Sequence, residues 1–382
     1  MVGRAEAPAL FAMTLKILFS ESSSNLGGQE LQLLQQMSAL KQRGVEVKLA
    51  CRVNSGIAQA ARRRGLEVES IAFRNSLHMP SILCVRRLLQ TWRPAAVVSH
   101  SGHDANVCGV AARLVKRRPR MVRVRTYQHG IPHAWSYNFL ADVSLVPSQD
   151  MRQRILRNPR IVSSRIHILY PGLDFEEIAR DAQQALPASL ATWLVQHPGR
   201  LLVHAAMLRP EKGHLFMLDV LAQLLPQFPD LRYVIAGEGE QRAAIEQRIR
   251  ELDMTENVCL AGMLQPVAAL LQRAHLVIMP SFFEPLGMAQ IEALSLGVAV
   301  VASDVDGIPE TITADQTGLL VAPGALAAWV EALGWALQHP QRMAAMALEG
   351  RSQVLEKFSR AANIARFLSL IQTANPATET NS

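Results

Sequence analysis

Two short apolar runs constrain the fold most, Leu276-Val277-Ile278-Met279 and Val298-Ala299-Val300-Val301-Ala302. Each has strand length, is rich in β-branched residues and does not alternate with polar ones, as expected of a strand buried on both faces. Residues 288–296 between them hold no proline or glycine, and Gly297 follows where a helix C-cap belongs. Strand, helix and strand in that order require a right-handed crossover between parallel strands. Ligands of such sheets lie beyond the carboxyl ends of the strands, which places residues 281–287 at a candidate site.

The chemistry of that loop is mixed. Glu284 sits in the turn and Glu292 eight positions later, while Ala289 and Ala293 suit a helix face pressed on the sheet. Unpaired N–H groups near Gly287 and Met288 form a candidate phosphate site. An ionised carboxylate only accepts hydrogen bonds and so suits hydroxyls. Carboxylate, amides and carboxylate in a row fit a sugar, a diphosphate and a ribose in a row. An acidic loop followed by a capped helix with a solvated glutamate has the same spacing, so the pattern alone leaves both open.

At 382 residues the chain exceeds what one core usually serves, and two domains are expected. No apolar run approaches the roughly 18 residues of a membrane span, and no signal-peptide plan appears, so a cytoplasmic chain is expected. Cys51, Cys84, Cys108 and Cys259 lack metal-ligand spacing and read as small buried hydrophobes. Residues 1–173 carry 25 Lys+Arg against 9 Asp+Glu, and the remainder 14 against 23. A basic half joined to an acidic half implies divided labour, with anionic lipid, anionic glycan or nucleic acid as partners of the first. Nucleic acid is set aside, because no interleaved aromatics or binding motif accompany the charge.

In the basic half, strands are expected at 15–19, 45–51, 95–99, 121–126, 141–146 and 166–170. Gly27-Gly28 lies between the first strand and a helix at 29–43, where backbone N–H groups can approach a phosphate or sugar closely. Residues 76–94 carry Ile82, Leu83, Val85, Leu88, Leu89 and Trp92 on one broad side, with Arg86, Arg87 and Arg93 nearby. This fits either an ordinary packed helix or a membrane-surface segment of a peripheral protein. His100, His103, His129 and His133 come from different loops without ligand spacing, so no metal is expected. Ser148 reads as a helix N-cap.

In the acidic half, a strand at 201–206 leads to Met207-Leu208-Arg209-Pro210-Glu211-Lys212-Gly213. Arg209 and Lys212, three residues apart between a strand and a helix, can grip a diphosphate, and a solvated basic turn would look the same. Strands at 232–236 and 258–261 follow, with Gly262-Met263-Leu264 after the second.

Glu284 through Glu292, followed by Ala-Leu-Ser-Leu-Gly-Val-Ala-Val-Val-Ala-Ser, resembles the E-x7-E motif of the retaining glycosyltransferases of family 4, a likeness running from about Lys16 to Phe358. The resemblance implies the GT-B fold: α/β, two Rossmann-like doubly wound parallel-sheet domains facing a central cleft. It implies that Glu284 holds hydroxyls of the transferred sugar and Glu292 the ribose. Gly28, with Gly27, caps the diphosphate; Lys212 binds it; the backbone at Leu264 reads the base; His129, with His133 as competitor, approaches the sugar. The family's usual arginine is replaced by Met207, and Arg209 is the candidate substitute. The expected co-substrate is a nucleotide diphosphate sugar, with no other cofactor and no divalent metal. The expected acceptor is a glycan or glycolipid, such as lipopolysaccharide core or O-chain, at an anionic membrane surface. A glycogen- or sucrose-type synthase, an epimerase on the same fold and a non-catalytic nucleotide-sugar or polyanion module are the alternatives. The expected division is 13–173 as the acceptor domain, 174–358 as the nucleotide-sugar domain, and 359–374 crossing back to the first. Residues 1–12 are expected to be disordered and 375–382 frayed.

Overall fold

The apolar runs become strands of two separate parallel sheets. The computed structural model describes residues 15–24, 26–127 and 130–372. Residues 1–12 and 375–382, expected to be disordered or frayed, and His129 lie outside the described residues. The first sheet contains β1 (Lys16–Glu21), β2 (Glu46–Cys51), β3 (Glu67–Ser70), β4 (Ala96–Ser99), β5 (Arg120–Val124), β6 (Val143–Val146) and β7 (Ile166–Ile168), in the order β3-β2-β1-β4-β5-β6-β7. The second contains β8 (Arg200–Ala205), β9 (Leu231–Ala236), β10 (Val258–Gly262), β11 (Leu276–Met279), β12 (Val300–Ser303) and β13 (Leu319–Val321), in the order β10-β9-β8-β11-β12-β13. Each sheet reverses its strand order once, between β1 and β4 in one and between β8 and β11 in the other. At such a reversal the outgoing loops part, leaving a crevice at the carboxyl ends.

The chain falls into two compact units. Among the described residues, one takes in those up to Pro147, then Arg152–Gly172 and Asn363–Gln372; the other comprises Ser148–Met151 and Leu173–Ala362. In the first, Ile17, Phe19 and Leu49 pack with Ile364, Phe367 and Leu370 of the closing helix Arg360–Gln372. In the second, Leu202, Tyr233, Ile278 and Val301 pack under Met217, Leu221, Trp329 and Leu333.

Local signals explain the element ends. The helix Ala289–Ser295 stops in a Schellman motif: Gly297 has φ +75°, its N–H donates to Leu294 O at 2.9 Å, and Val298 N–H reaches back to Ala293 O at 2.9 Å. Ser148 caps the following helix by accepting from Met151 N–H at 3.1 Å. In the helix Met79–Trp92, Ile82, Val85 and Leu89 are buried in the first unit's core, with Leu88 and Trp92 packed against it. Most of the apolar side is thus spent on protein packing, and Leu77, Met79 and Leu83 are left exposed. Cys51 and Cys108 are buried as expected, whereas Cys84 on this helix's outer face is exposed. Among the described residues, no helix is long and apolar enough to cross a membrane.

Candidate active site

Lys212 and Glu284 meet at the strand reversal of the second sheet. Lys212 follows β8 and Glu284 follows β11, so each leaves the carboxyl end of one flanking strand. Lys212 Nζ lies 2.7 Å from Glu284 Oε2, with the two side chains only 17% and 11% exposed. Two opposite charges are therefore held, largely out of water, where a ligand of this architecture would arrive.

The backbone explains how they are brought together. Residues Pro210–Lys212 form one tight turn ending at Gly213, whose φ is +75°. A Cβ there would stand 2.1 Å from the carbonyl oxygen of Pro280, so only glycine lets this turn press against the chain leaving β11. Phe282 N–H then donates to Glu211 O at 2.8 Å. Gly213→Ala is expected to cost about 3 kcal/mol, combining an unfavourable φ with a backbone collision. Gly44→Ala, where φ is +81° but the space is open, is expected to cost about 1 kcal/mol. Chemical denaturation of both variants checks the difference.

Glu284 is fixed from a third side. Its N–H donates to Asp306 Oδ2 at 2.8 Å and its carbonyl accepts from Gly307 N–H at 3.1 Å. A Cβ on Gly307 would lie 2.0 Å from Pro285 O, so this loop too is set by a close backbone approach. His214 tethers the Lys212 loop. Its burial draws its pKa down to about 4, so the neutral ring donates from Nε2 to Met207 O at 3.1 Å. His204 packs against it, with ring centroids 4.1 Å apart, and meets the Tyr233 hydroxyl at 2.8 Å. Asp306 and His214 were not legible as site residues; the only signal was a histidine directly after the Lys-Gly pair.

Of the other expected residues, Met207 and Arg209 are exposed and the buried Leu208 between them anchors the strand exit. The Arg209 guanidinium lies 3.9 Å from Glu211. Gly287 is buried at φ +88°, and Gln290 folds over it, donating from Nε2 to Leu286 O at 2.7 Å. Met288 is half-buried and directly precedes the seven-residue helix. Leu264 is half-buried, two residues after Gly262 at the end of β10. Glu292, in the helix's first turn, has no hydrogen-bond partner for its carboxyl among the described residues. Burial first, and then the charge of Asp181, push its pKa up to about 7. Near neutral pH this group can donate or accept. Glu310 serves the architecture: its Oε1 accepts from Gln149 and Asp150 N–H at 2.7 and 3.1 Å.

In the first unit, Gly27 caps the helix Gly28–Gln42 and donates its N–H to Glu30 Oε2 at 2.8 Å. The space beside Gly28 is open. At this sheet's strand reversal lie two buried acids, Glu21 ending β1 and Asp104 in the helix after β4. Asp104 accepts from Ser20 Oγ at 2.7 Å and from His100 and Ser101 N–H at 3.1 and 3.0 Å. Burial, then the nearby Glu21, push its pKa up. Glu21 accepts from Ser23 N–H at 2.8 Å and Gln29 Nε2 at 2.9 Å, bracing the glycine loop. A charged residue at the end of an apolar strand was the one signal for Glu21. His133 is exposed, while His129 lies outside the described residues. Among the described residues no group of three or more His, Cys, Asp or Glu is placed to hold a metal ion.

Comparison with known proteins follows the same division. Residues 26–177 match the model of Glycosyltransferase Family 4, and residues 191–353 match Glycosyl transferases group 1. The D-inositol 3-phosphate glycosyltransferase of Corynebacterium glutamicum (strain R) is 27% identical over 249 residues, covering 61% of this chain and 58% of that one. This chain spans about half the length of the curated relatives it matches. Anabaena Alr3699/HepE, solved in complex with UDP-glucose, superposes with a TM-score of 0.77 at 20% identity, covering 93% and 99% of the two chains. The lipopolysaccharide outer core galactosyltransferase WaaB superposes with a TM-score of 0.71 at 17% identity, covering 94% and 99%. These likenesses establish the GT-B fold. With a family 4 match over its first unit and a group 1 match over its second, the chain belongs to the family 4 glycosyltransferases.

Proposed function

We propose that the protein moves a hexose-type sugar from a nucleotide diphosphate sugar to a hydroxyl of a surface glycan, with retention at the anomeric carbon and without a divalent metal. The observation that carries this reading is the Lys212–Glu284 pair at the strand reversal. The barrier to glycosyl transfer is charge separation, as the sugar carbon becomes cationic and the diphosphate leaves as an anion. Lys212, supported by Arg209, stabilises that anion from a fixed position, usually the dominant electrostatic contribution. Glu284, freed from Lys212 as the diphosphate takes over the ammonium, orients the sugar through its hydroxyls. Glu292 holds the ribose, and the leaving phosphate accepts the acceptor's proton on the face from which it departs. The role of His129 beside the sugar rests on the family resemblance alone.

UDP is the first donor nucleotide to test, since Alr3699/HepE was solved with UDP-glucose. A lipid-linked acceptor such as lipopolysaccharide core fits the basic first half, and exposed Leu77, Met79 and Leu83 beside Arg86 and Arg87 offer a surface for an anionic inner leaflet. Co-sedimentation with vesicles containing anionic lipid is expected at low salt and to weaken as salt is added; no binding at low salt would remove the membrane from this reading. A donor screen across UDP-, GDP- and ADP-sugars tests the function itself. Slow donor hydrolysis and stabilisation by one nucleotide class are expected. Interconversion of donor without acceptor would indicate an epimerase, and binding without turnover a non-catalytic module.

A further inference from the structure

Arg123 lies within β5 and is only 8% exposed, yet its Nε and Nη1 find no hydrogen-bond acceptor among the described residues. The face of Tyr137 is its described neighbour, 4.5 Å from Cζ to the ring centroid. Other arginines of the same unit keep at least one donor bonded, although Arg52 and Arg118 also leave a buried Nε open. Arg52 Nη2 donates to Phe73 O at 3.0 Å, Arg118 meets Asp142 at 2.8 Å, and Arg165 Nη1 donates to Asn138 O at 2.6 Å. A buried guanidinium with open donors is costly, and folded proteins rarely keep one without a use.

Its surroundings point to that use. Arg123 lines an open pocket of about 550 Å³ with Arg125, His133, Trp135 and Tyr137, and among the described residues no carboxylate lines it. Asp104, the acid whose charge acts on Arg123, is itself held towards its neutral form by burial and by Glu21. Arg123 therefore presents open, positively charged donors to the pocket. Ile131 and Trp135, 69% and 56% exposed, supply an apolar edge beside the cations. A guanidinium matches an oxyanion in a forked geometry, and an indole face suits the C–H side of a pyranose.

We propose that this pocket binds a sugar bearing an oxyanion, a phosphate or a carboxylate on a pyranose. Resting on the transferase reading above, it anchors the acceptor. The buried arginine takes the oxyanion and Trp135 takes the ring. The basic charge of the first half then has a local purpose: it draws acidic glycans towards one site.

Calorimetry on the full chain, at matched ionic strength, tests this with glucose 6-phosphate, glucuronate, inorganic phosphate and glucose. At least one acidic sugar is expected to bind about tenfold or more tightly than glucose, and the tighter of the two names the oxyanion. Arg123→Met is expected to weaken acidic sugars and inorganic phosphate by about tenfold or more, while leaving UDP affinity unchanged and the ligand-free Tm no lower. Trp135→Ala, at an exposed position, is expected to weaken the acidic sugars and leave inorganic phosphate unaffected. Failure of both acidic sugars to bind, binding that survives Arg123→Met, or a Tm loss in that variant with anion affinity intact would overturn the proposal. If no UDP-, GDP- or ADP-sugar bound while the Arg123-dependent anion binding held, the transferase reading would fall and the anion site would stand.

Discussion

Glu284→Gln is expected to reduce sugar transfer by about a thousandfold, the scale of removing a group that acts at the reacting centre. Its consequences for stability should differ sharply from those of the reciprocal change. Lys212 Nζ and Glu284 Oε2 are 2.7 Å apart and both side chains are largely withdrawn from water. Lys212→Met leaves the Glu284 carboxylate, 11% exposed, without its cation, which should cost about 3 kcal/mol. Glu284→Gln keeps an acceptor for the ammonium and should cost less. The double variant Lys212→Met/Glu284→Gln has no buried charge left unpaired, so most of the stability lost in Lys212→Met should return while transfer stays absent. Urea denaturation with turnover measurements reads both quantities. Loss of stability in the double variant equal to the sum of the single losses would show that the pair is not coupled.

Glu292→Gln should make the protein more stable at pH 8 by on the order of 2 kcal/mol, with the two proteins converging near pH 4. The sign follows from a carboxyl pKa raised from 4.5 to about 7 by burial and by Asp181. Between those values the folded chain holds a proton that the unfolded chain has released. Stability therefore falls as pH rises through that window, and the loss is complete above about 7. Glutamine removes the titration and with it the loss. The same change removes an acceptor for ribose hydroxyls, so donor affinity should drop about tenfold at pH 8. A gain in stability bought with weaker binding is the pattern expected of a strained functional group. Denaturation at pH 4.5 and pH 8, with donor titration at pH 8, checks both halves.

Much of the fold was legible because parallel strands buried on both faces leave unbroken apolar runs. Leu276–Met279 forms at its expected bounds, and Gly297 closes its helix as glycine at C′ should. The edge strand β3, Glu-Val-Glu-Ser, was not legible, because a half-exposed edge keeps its charges and shows no apolar run. The amphipathic stretch at 76–94 carried one pattern compatible with two surfaces, and the choice depended on which residues pack against it. Glu284 and Lys212 stand 72 positions apart, so their ion pair depends on which strands become neighbours. Arg123 looked like one more cation in a basic half. Its open donors arise from the absence of an acceptor among the described residues, which residue order alone does not reveal.

The assignment of Lys212 to the diphosphate and of Glu284 to the sugar is best tested by calorimetric titration of UDP and UDP-glucose into wild type, Lys212→Met and Glu284→Gln. Lys212→Met should weaken both ligands by about tenfold or more, whereas Glu284→Gln should weaken UDP-glucose and bind UDP at least as tightly as wild type. Wild-type affinity for UDP in Lys212→Met, or for UDP-glucose in Glu284→Gln, would contradict it.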